Sequence, residues 1–531
     1  MIHRTARALL LTAVVAGALA TLAPQGALAI SQTPDNTGWA VSGKVYAYAD
    51  YGNVVYAGGA FNKVTGPVGD HYAVGNLAAF DATTGAWIST FTPTVTSSAG
   101  AVKISALAVS PDGGTLYVGG QFTTVDGQPA QNFAAIDTAT GLLVPGFSVS
   151  ANQAVDVLLA GPDLLYMGGA FTKVNGENRD HAAAISFDGT LSETWIVSTE
   201  AGNCPAPYYS ASTCSNGGDG TVRSMAMSTD GKTVFIGGEF YYVNGTPRNC
   251  IARVSALNGA TDPWTTKNWT DVVDDAQTHK PGPNMAWHII ATDTRLYVGF
   301  GRVPNYLQVF RLDDGSVGDT VWRIGTPGNV ESLALWIDPN NASNKLLFAG
   351  GHFGTAVLDY SMCGTYAHGL ISVNPDTGAY NCSWIPTLKP FGGQPPAPGC
   401  CVAPPNYVGG WTMFITGNSL WVGGYFTSVA GVAQSGIARF TISGSPPPPL
   451  PEFGTFTPTK GPVGALVTIP GFGFTGATDV QFNGVSATSF TVVSDTRITA
   501  TVPVGATTGP ITVVAPGGTV NTGTKKFHVT G

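Results

Sequence analysis

The sequence predicts an all-β protein built from two modules, and three observations carry that expectation. A glycine-glycine phrase flanked by large apolar residues recurs through residues 37–443. Short apolar or alternating runs are separated by turns rich in Gly, Pro and Asp. No stretch between the phrases shows a sustained helical period with caps. The composition agrees: 70 Gly and 36 Pro in 531 residues make a turn-rich chain, while 44% hydrophobic and 10% aromatic residues supply a core. Charged residues are only 11%, and a formal charge of −8 cannot neutralise many phosphates, which excludes nucleic acid as an expected partner.

In chain order, Arg4 and Arg7 precede an apolar run over residues 8–23, and Ala27-Leu28-Ala29 offers small residues at a cleavage site. This is the three-part pattern of a secretory signal peptide over residues 1–29, and it predicts a secreted, extracellular protein. Pro24, Gln25 and Gly26 end the run too early for an anchor, and no later segment is long and apolar enough to span a membrane. Export permits disulfides among Cys204, Cys214, Cys250, Cys363, Cys382, Cys400 and Cys401, whose odd number leaves at least one unpaired. Cys204 with Cys214 is the first expected pair, because both bracket one insertion, and Cys363 with Cys382 is the second. Thiols at metal-binding spacing are missing, so no metal or cofactor is expected.

The repeated phrase has first glycines at Gly58, Gly119, Gly168, Gly237, Gly350 and Gly423, with a degenerate copy at Gly299-Phe300-Gly301. A period of roughly fifty residues with insertions means a propeller or a solenoid. Within one unit, strands are expected at 104–110, 115–122, 133–137 and 142–147, and four antiparallel strands make one propeller blade. The glycine pairs read as a packing device that permits a bulge. Third strands end in turns such as Asp81 to Gly85, Asp137 to Gly141 and Pro375-Asp376-Thr377-Gly378, where Asp bonds the backbone ahead of it and Gly takes a positive φ. A calcium loop is the sharper alternative for these turns. Fourth strands end on Phe91, Phe147, Trp195, Trp264, Trp322 and Trp384, whereas the seventh unit lacks one. Trp39 and its neighbours are expected to supply it, giving a seven-bladed β-propeller over residues 30–443 closed by N- and C-terminal strands.

The phrase Gly-Gly-x-Phe-x-x-Val-x-Gly, as at Gly119 to Gly127 and Gly168 to Gly176, resembles the delta-60 repeats of bacterial extracellular β-propellers, with kelch-like propellers as more distant relatives. The resemblance implies fold more than function. Residues 444–452 form a Pro-rich linker, expected to be extended and semi-rigid. Beyond it, residues 453–531 alternate as short strands of a small immunoglobulin-like β-sandwich. Val467-Thr468-Ile469, Gly471-Phe472-Gly473-Phe474, Val480 to Gly484, Val502-Pro503, Gly509 and Phe527 resemble the IPT/TIG fold. Gly471, Gly473 and Gly476 also satisfy a dinucleotide-binding spacing, but no helix follows them. Lys460, Arg497, Lys525 and Lys526 are the module's only Lys or Arg residues, so a spacer or adhesion role is expected rather than DNA contact.

No nucleophile elbow, His-Glu-x-x-His or Walker lysine loop occurs. Antiparallel geometry puts the second-to-third and inter-blade connections on one face, and the longest insertions, residues 196–220, 265–284 and 385–407, are inter-blade. Asp70-His71 and Asp180-His181 read as matching positions on that face, with Arg248 as the counterpart in the fourth unit. Each pair either contacts ligand or satisfies backbone groups where a strand begins. Tyr208, Tyr209, Trp269, Tyr407 and Trp411 lie in or beside the insertions, where rings could stack on sugars or fill a protein hot spot. Core packing explains Trp411 equally well. The expected function is binding or adhesion to an extracellular glycan or protein, without catalysis; the alternative is a secreted carbohydrate-active lyase or hydrolase. Oligomeric state is not legible.

Overall fold

The computed structural model describes the chain except residues 1–28, 32, 36–37, 202–218, 249, 267–284, 302–304, 313–316, 319, 327, 353–368, 390–408, 444–451, 473, 475, 495, 516–517 and 531. Residues 1–28 of the expected leader, Tyr208, Tyr209, Trp269, Tyr407 and five of the seven cysteines lie outside the described residues, whereas Ala29 is described. Among the described residues every regular element is a strand. No described helix is long and apolar enough to cross a membrane.

Among the described residues of 44–443, seven antiparallel sheets each place the second strand of a repeat unit between the first and third, with smaller two- and three-stranded sheets beside them. In the second sheet, Thr115–Gln121 sits between Lys103–Val109 and Phe133–Asp137. First strands pack on one another in chain order, from Lys44–Tyr51 against Lys103–Val109 onward, and Gly409–Thr416 returns to lie against Lys44–Tyr51. This is the radial packing of a β-propeller.

The glycine pairs make the close approach possible. A Cβ on Gly119 would stand 2.7 Å from Val155 Cγ1 of the next sheet, and one on Gly423 would stand 2.7 Å from Val45 Cγ1 of the first. A Cβ on Gly120 would lie 2.1 Å from the Lys103 carbonyl oxygen. The pair also shifts the register of the neighbouring first strand, as the bulge reading required.

The fourth strands differ from expectation. Only the fifth sheet has a full one, Thr320–Thr326 on Asn305–Arg311. In units one to four and six the segment makes a single bridge, such as Phe80 with Trp87 or Ile136 with Leu143. The aromatic then turns inward and plugs the gap to the next sheet. Trp195 Nε1 donates to the Ser255 carbonyl at 3.0 Å. Burial of the large ring takes the place of the few ladder bonds a longer strand would add, and Trp195 also bonds its N–H across sheets.

The N-terminal contribution to the seventh sheet comes from a different place than expected. Ala29–Ile30 pairs with Ser443 and Ile442, not the residues around Trp39. Asp35 accepts from Arg439 Nε at 2.9 Å, and Trp384 Nε1 donates to the Ser31 carbonyl at 3.1 Å. Arg439 also donates to the Ala82 carbonyl of the first unit. Trp39 instead packs with Tyr72 and Trp87, while Ala40–Val41 pairs with Lys63–Thr65 at the rim of the first sheet. Phe91 and Trp195 stand four residues before the bridge positions Val95 and Thr199 of such rim pairs, but Trp39 adjoins its own, so it was read at the wrong register.

The Asp/Gly turns behave as turn chemistry. Asp81 Oδ1 accepts from the backbone N–H of Thr83 and Thr84, and Asp137 Oδ1 from those of Ala139 and Thr140. Gly85 and Gly141 take φ of 72° and 71°. In the sixth unit the acceptor is Asn374, not Asp376, because the turn begins one residue before Pro375. Residues 452–530 form a four-stranded and a five-stranded sheet around a core including Val467, Ile469, Val480, Phe482, Ile498, Ile511 and Phe527. Gly471 lies within the strand Leu466–Phe472 rather than in a loop before a helix.

Candidate functional site at the channel mouth

Each bulge on a first strand skips one residue. The register passes from Val45 to Ala47, Val155 to Val157, Val222 to Ser224, Ala286 to His288, Val330 to Ser332 and Gly410 to Thr412. In the second sheet the shift falls between Gly119 and Gly120, opposite Ala106 and Ile104. The skipped residues are Tyr46, Ser105, Asp156, Arg223, Trp287, Glu331 and Trp411. All seven line a central cavity of about 790 Å³ to which the first strands of all seven sheets contribute. They stand near the start of the first strand, where the second strand ends. That is the end at which the second-to-third hairpins and the inter-sheet connections enter and leave.

The ring has two sectors. In one, Arg223 donates to Asp156 Oδ2 at 2.8 Å and to Glu239 Oε1 at 3.0 Å, and lies over the Trp287 ring at 5.8 Å. Glu239 directly follows the glycine pair of its own sheet and is almost fully buried. Burial works against the Arg223 charge, but Asp156 and Glu239 outweigh it and hold its pKa above the ordinary value. Glu331 Oε1 lies 2.7 Å from Nδ1 of His352, which follows the glycine pair of the sixth sheet.

The other sector is aromatic and basic. Trp411 stacks on Tyr46 at 5.3 Å and 8°, and on Tyr425 at 6.1 Å and 18°. Lys44 Nζ stands 4.9 Å from the Trp411 centroid and 4.8 Å from that of Tyr425, and Lys103 Nζ stands 4.9 Å from that of Tyr46. Burial, followed by the charge of Glu331, pushes the Tyr46 phenol up to about 12. Burial pulls Lys103 below the usual lysine range, with Asp156 opposing and Arg223 reinforcing the effect. His288, deeper in the wall, is held down to about 4 by burial and accepts from the Leu333 N–H at 3.2 Å. Three buried polar atoms of the ring have no partner: Ser105 Oγ, Trp287 Nε1 and Glu331 Oε2. Groups left in that condition are costly unless something else meets them.

Of the residues expected at a site, Trp411 alone among the described ones lines the cavity. The matching of Asp70-His71 with Asp180-His181 does not hold. His181 occupies the left-handed position that Asn76, Asn132 and Cys250 take in their units, with φ of 68° against 69°, 61° and 55°. His71 lies five residues earlier, in the exposed rim strand His71–Ala73, with Nδ1 3.1 Å from Thr65 Oγ1. The longer first-unit hairpin displaced the apparent alignment. Asp180 accepts from the Thr199 N–H through its backbone carbonyl. Arg248 is buried and donates to the carbonyls of Pro247 and Asp262 at 2.7 Å each, while the backbone N–H of Arg248 and of Arg179 bonds the same position of its own hairpin. Cys250 is a buried free thiol, and Cys382 is disulfide-bonded to a partner outside the described residues.

The ring itself was missed, although a signal for it existed. Aligned on the glycine pairs, the first strands read Val45-Tyr46-Ala47, Ile104-Ser105-Ala106, Val155-Asp156-Val157, Val222-Arg223-Ser224, Ala286-Trp287-His288, Val330-Glu331-Ser332 and Gly410-Trp411-Thr412. The middle position is polar or aromatic in every unit, inside strands that are otherwise mostly apolar.

No curated protein matches the chain. Among solved structures, the WD40 β-propeller domain of Doa1 shares 11% identity and a TM-score of 0.42, covering 76% of this chain and 97% of that one. The computationally designed Ika8 protein shares 14% identity and a TM-score of 0.38, covering 76% and 98%. U3-55K shares 12% identity and a TM-score of 0.36, covering 58% and 74%. Residues 229–263 and 418–446 match the family described as a beta-propeller domain of unknown function, DUF5122, and residues 451–529 match the IPT/TIG domain. The chain thus joins a β-propeller to a C-terminal IPT/TIG domain.

Proposed function

We propose that this is a secreted, extracellular binding or adhesion protein that takes a protein or glycan ligand at the channel mouth. The propeller is a ring of seven blades closed by strands from both ends, and the IPT/TIG module beyond the proline linker serves as a spacer or second contact. One observation carries the reading: a ring of seven non-apolar side chains surrounds a cavity of about 790 Å³, and several of their buried polar atoms lack partners. Side chains presented by a rigid scaffold around a concave site are the usual form of a binding site. The return of Gly409–Thr416 to Lys44–Tyr51 supports closure of the ring. Export rests on Arg4, Arg7, the apolar run and Ala27-Leu28-Ala29. Pairing of Cys204 with Cys214 and of Cys363 with Cys382 belongs to the same proposal.

A glycan and protein array probed with the mature chain tests it, followed by hydrogen-exchange footprinting of each hit. Protection of residues 44–48, 103–106 and 409–414 is expected. A footprint confined to the Asp/Gly turns or to residues 453–531 would reduce the propeller to a scaffold. The second reading, a secreted carbohydrate-active lyase or hydrolase, draws on the Glu331–His352 couple beside the Tyr46 phenol. Turnover of a bound glycan that disappears in Glu331→Gln, with binding retained, would favour it.

A further inference from the structure

Lys44 and Lys103 occupy the same place in adjacent units, directly before Val45 and Ile104, opposite Ala60 and Gln121. Both ammonium groups are held over ring faces, at 4.8–4.9 Å from the centroids. A cation-π contact orients a cation but leaves its charge uncancelled. No described carboxylate lies within ion-pair distance of either lysine. The nearby carboxylates are engaged elsewhere, Asp156 and Glu239 by Arg223 and Glu331 Oε1 by His352. Lys103 therefore stands in the cavity wall, with Lys44 beside it over the lining Trp411, in a chain of net charge −8.

The remaining wall asks for something other than charge. Trp287 Nε1 is a buried donor and Glu331 Oε2 a buried acceptor, both unpartnered, and Ser105 Oγ adds a group that can act either way. Lys103, Ser105, Trp287 and Glu331 line the same cavity and Lys44 stands over Trp411 of that wall, so the cationic edge and the acceptor belong to one site. A hydroxyl group donates and accepts at a single atom, and hence can meet Trp287 and Glu331 alike. A peptide carboxylate would supply the charge, but its amides hold donor and acceptor at separate, fixed places along the chain.

We propose that the channel mouth binds an acidic saccharide, with its carboxylate or sulfate between Lys44 and Lys103 and its hydroxyls on Trp287 Nε1 and Glu331 Oε2. This rests on the channel mouth being the binding face. The lysine whose burial is costly gains a counter-ion, and the orphaned atoms gain partners. Such a ligand satisfies both sectors of the ring at once, which a neutral sugar or a simple anion does not.

The test is calorimetric titration of the full mature chain with four probes: trigalacturonate, a sulfated galactose trimer, the neutral galactose trimer and polyglutamate. At least one acidic trimer should bind, and the better of the two identifies the oxyanion. The neutral trimer should be at least about tenfold weaker, roughly 1.4 kcal/mol. Lys44→Gln with Lys103→Gln should weaken the acidic trimer by about tenfold or more at an unchanged unfolding midpoint, and Trp287→Phe should weaken it several-fold. In the unmodified protein, affinity should fall as sodium chloride rises from 20 to 300 mM, a check that does not depend on any variant folding. Equal binding of the neutral trimer, salt-independent affinity, or failure of every saccharide overturns the acidic-saccharide assignment. So does polyglutamate binding as well as the trimers. In each of these cases a footprint at residues 44–48 and 409–414 by whatever ligand does bind would leave the channel-mouth reading standing. A trimer whose footprint lies elsewhere overturns both.

Discussion

The two ends of the propeller treat the same repeat in opposite ways. At the short-turn end, Asp81, Asp137 and Asn374 perform one task with one kind of side chain, and Gly85, Gly141 and Gly378 all follow with positive φ. At the mouth, one backbone position per unit carries Tyr46, Ser105, Asp156, Arg223, Trp287, Glu331 and Trp411. Where the backbone needs a turn acceptor, these three units agree, and in the fourth Ser255 takes the same place and accepts from the Leu257 N–H. Where the backbone only presents a side chain, they diverge. Within a repeat protein, divergence at a fixed geometric position is therefore a pointer to function, while recurrence points to folding.

Substitutions that attack each kind of position sharpen this contrast. The largest effect is expected at the scaffold: Gly120→Val would drive Cβ onto the Lys103 carbonyl, and chemical denaturation should show a loss of about 3 kcal/mol or more. A variant of parental stability would break the account of the glycine pairs. Acid comes next. The folded-state pKa of His288 is about 4 against 6.5 for the ordinary group, so the unfolded chain binds more protons between those values and stability falls as pH drops from 6.5 to 4. The slope should reach at most about 1.4 kcal/mol per pH unit from this residue, with His181 adding in the same direction. Denaturation midpoints that stay flat across that window, or that fall equally in His288→Gln, would remove His288 from the explanation.

Asp137→Ala tests the short-turn end, where one carboxylate oxygen accepts from two backbone N–H groups and the Thr140 hydroxyl. A loss of about 1 kcal/mol is expected from equilibrium unfolding. The smallest effect is expected at the mouth. Lys103→Met removes a buried charge with no ion-pair partner among the described residues, so the unfolding midpoint should stay within about 0.5 kcal/mol of the parent or rise. A large loss there would make the lysine part of the scaffold and erase the distinction between the ends.

Much of the scaffold was legible because its causes are local. The glycine pairs, the Asp/Gly turns and the apolar strands each leave a mark within a few residues, and the C-terminal sandwich shows the same kind of pattern. The fourth strands were over-read because an apolar run that ends on an aromatic looks alike whether it forms a ladder or delivers a plug. Trp39 was misplaced because its role depends on pairing with Lys63–Thr65, a partner that spacing alone does not name. Trp411 was found by its position beside an insertion, whereas Tyr46 and Glu331 were hidden as ordinary members of strands. Their exposure to the cavity follows from bulges, and a bulge appears only when the units are aligned on the glycines. His71 and His181 show the converse: an identical Asp-His pair in sequence reached two different places because one hairpin is longer.

The strand Ala29–Ile30 has a consequence for how the molecule is made. Ile30, the first residue after the expected leader, pairs with Ile442, and the Asp35–Arg439 contact likewise reaches the other end of the propeller sequence, 404 residues away. During synthesis the N-terminal segment emerges first yet has nothing to pair with until the last sheet is complete. Long-range pairing of this kind is slow, because chain entropy is spent before any contact returns it. Until then an unpaired strand edge stands open to other chains. A transient seven-sheet intermediate with that edge free is the species most exposed to association, and stop-flow refolding at increasing protein concentration would reveal it as a late phase whose yield falls.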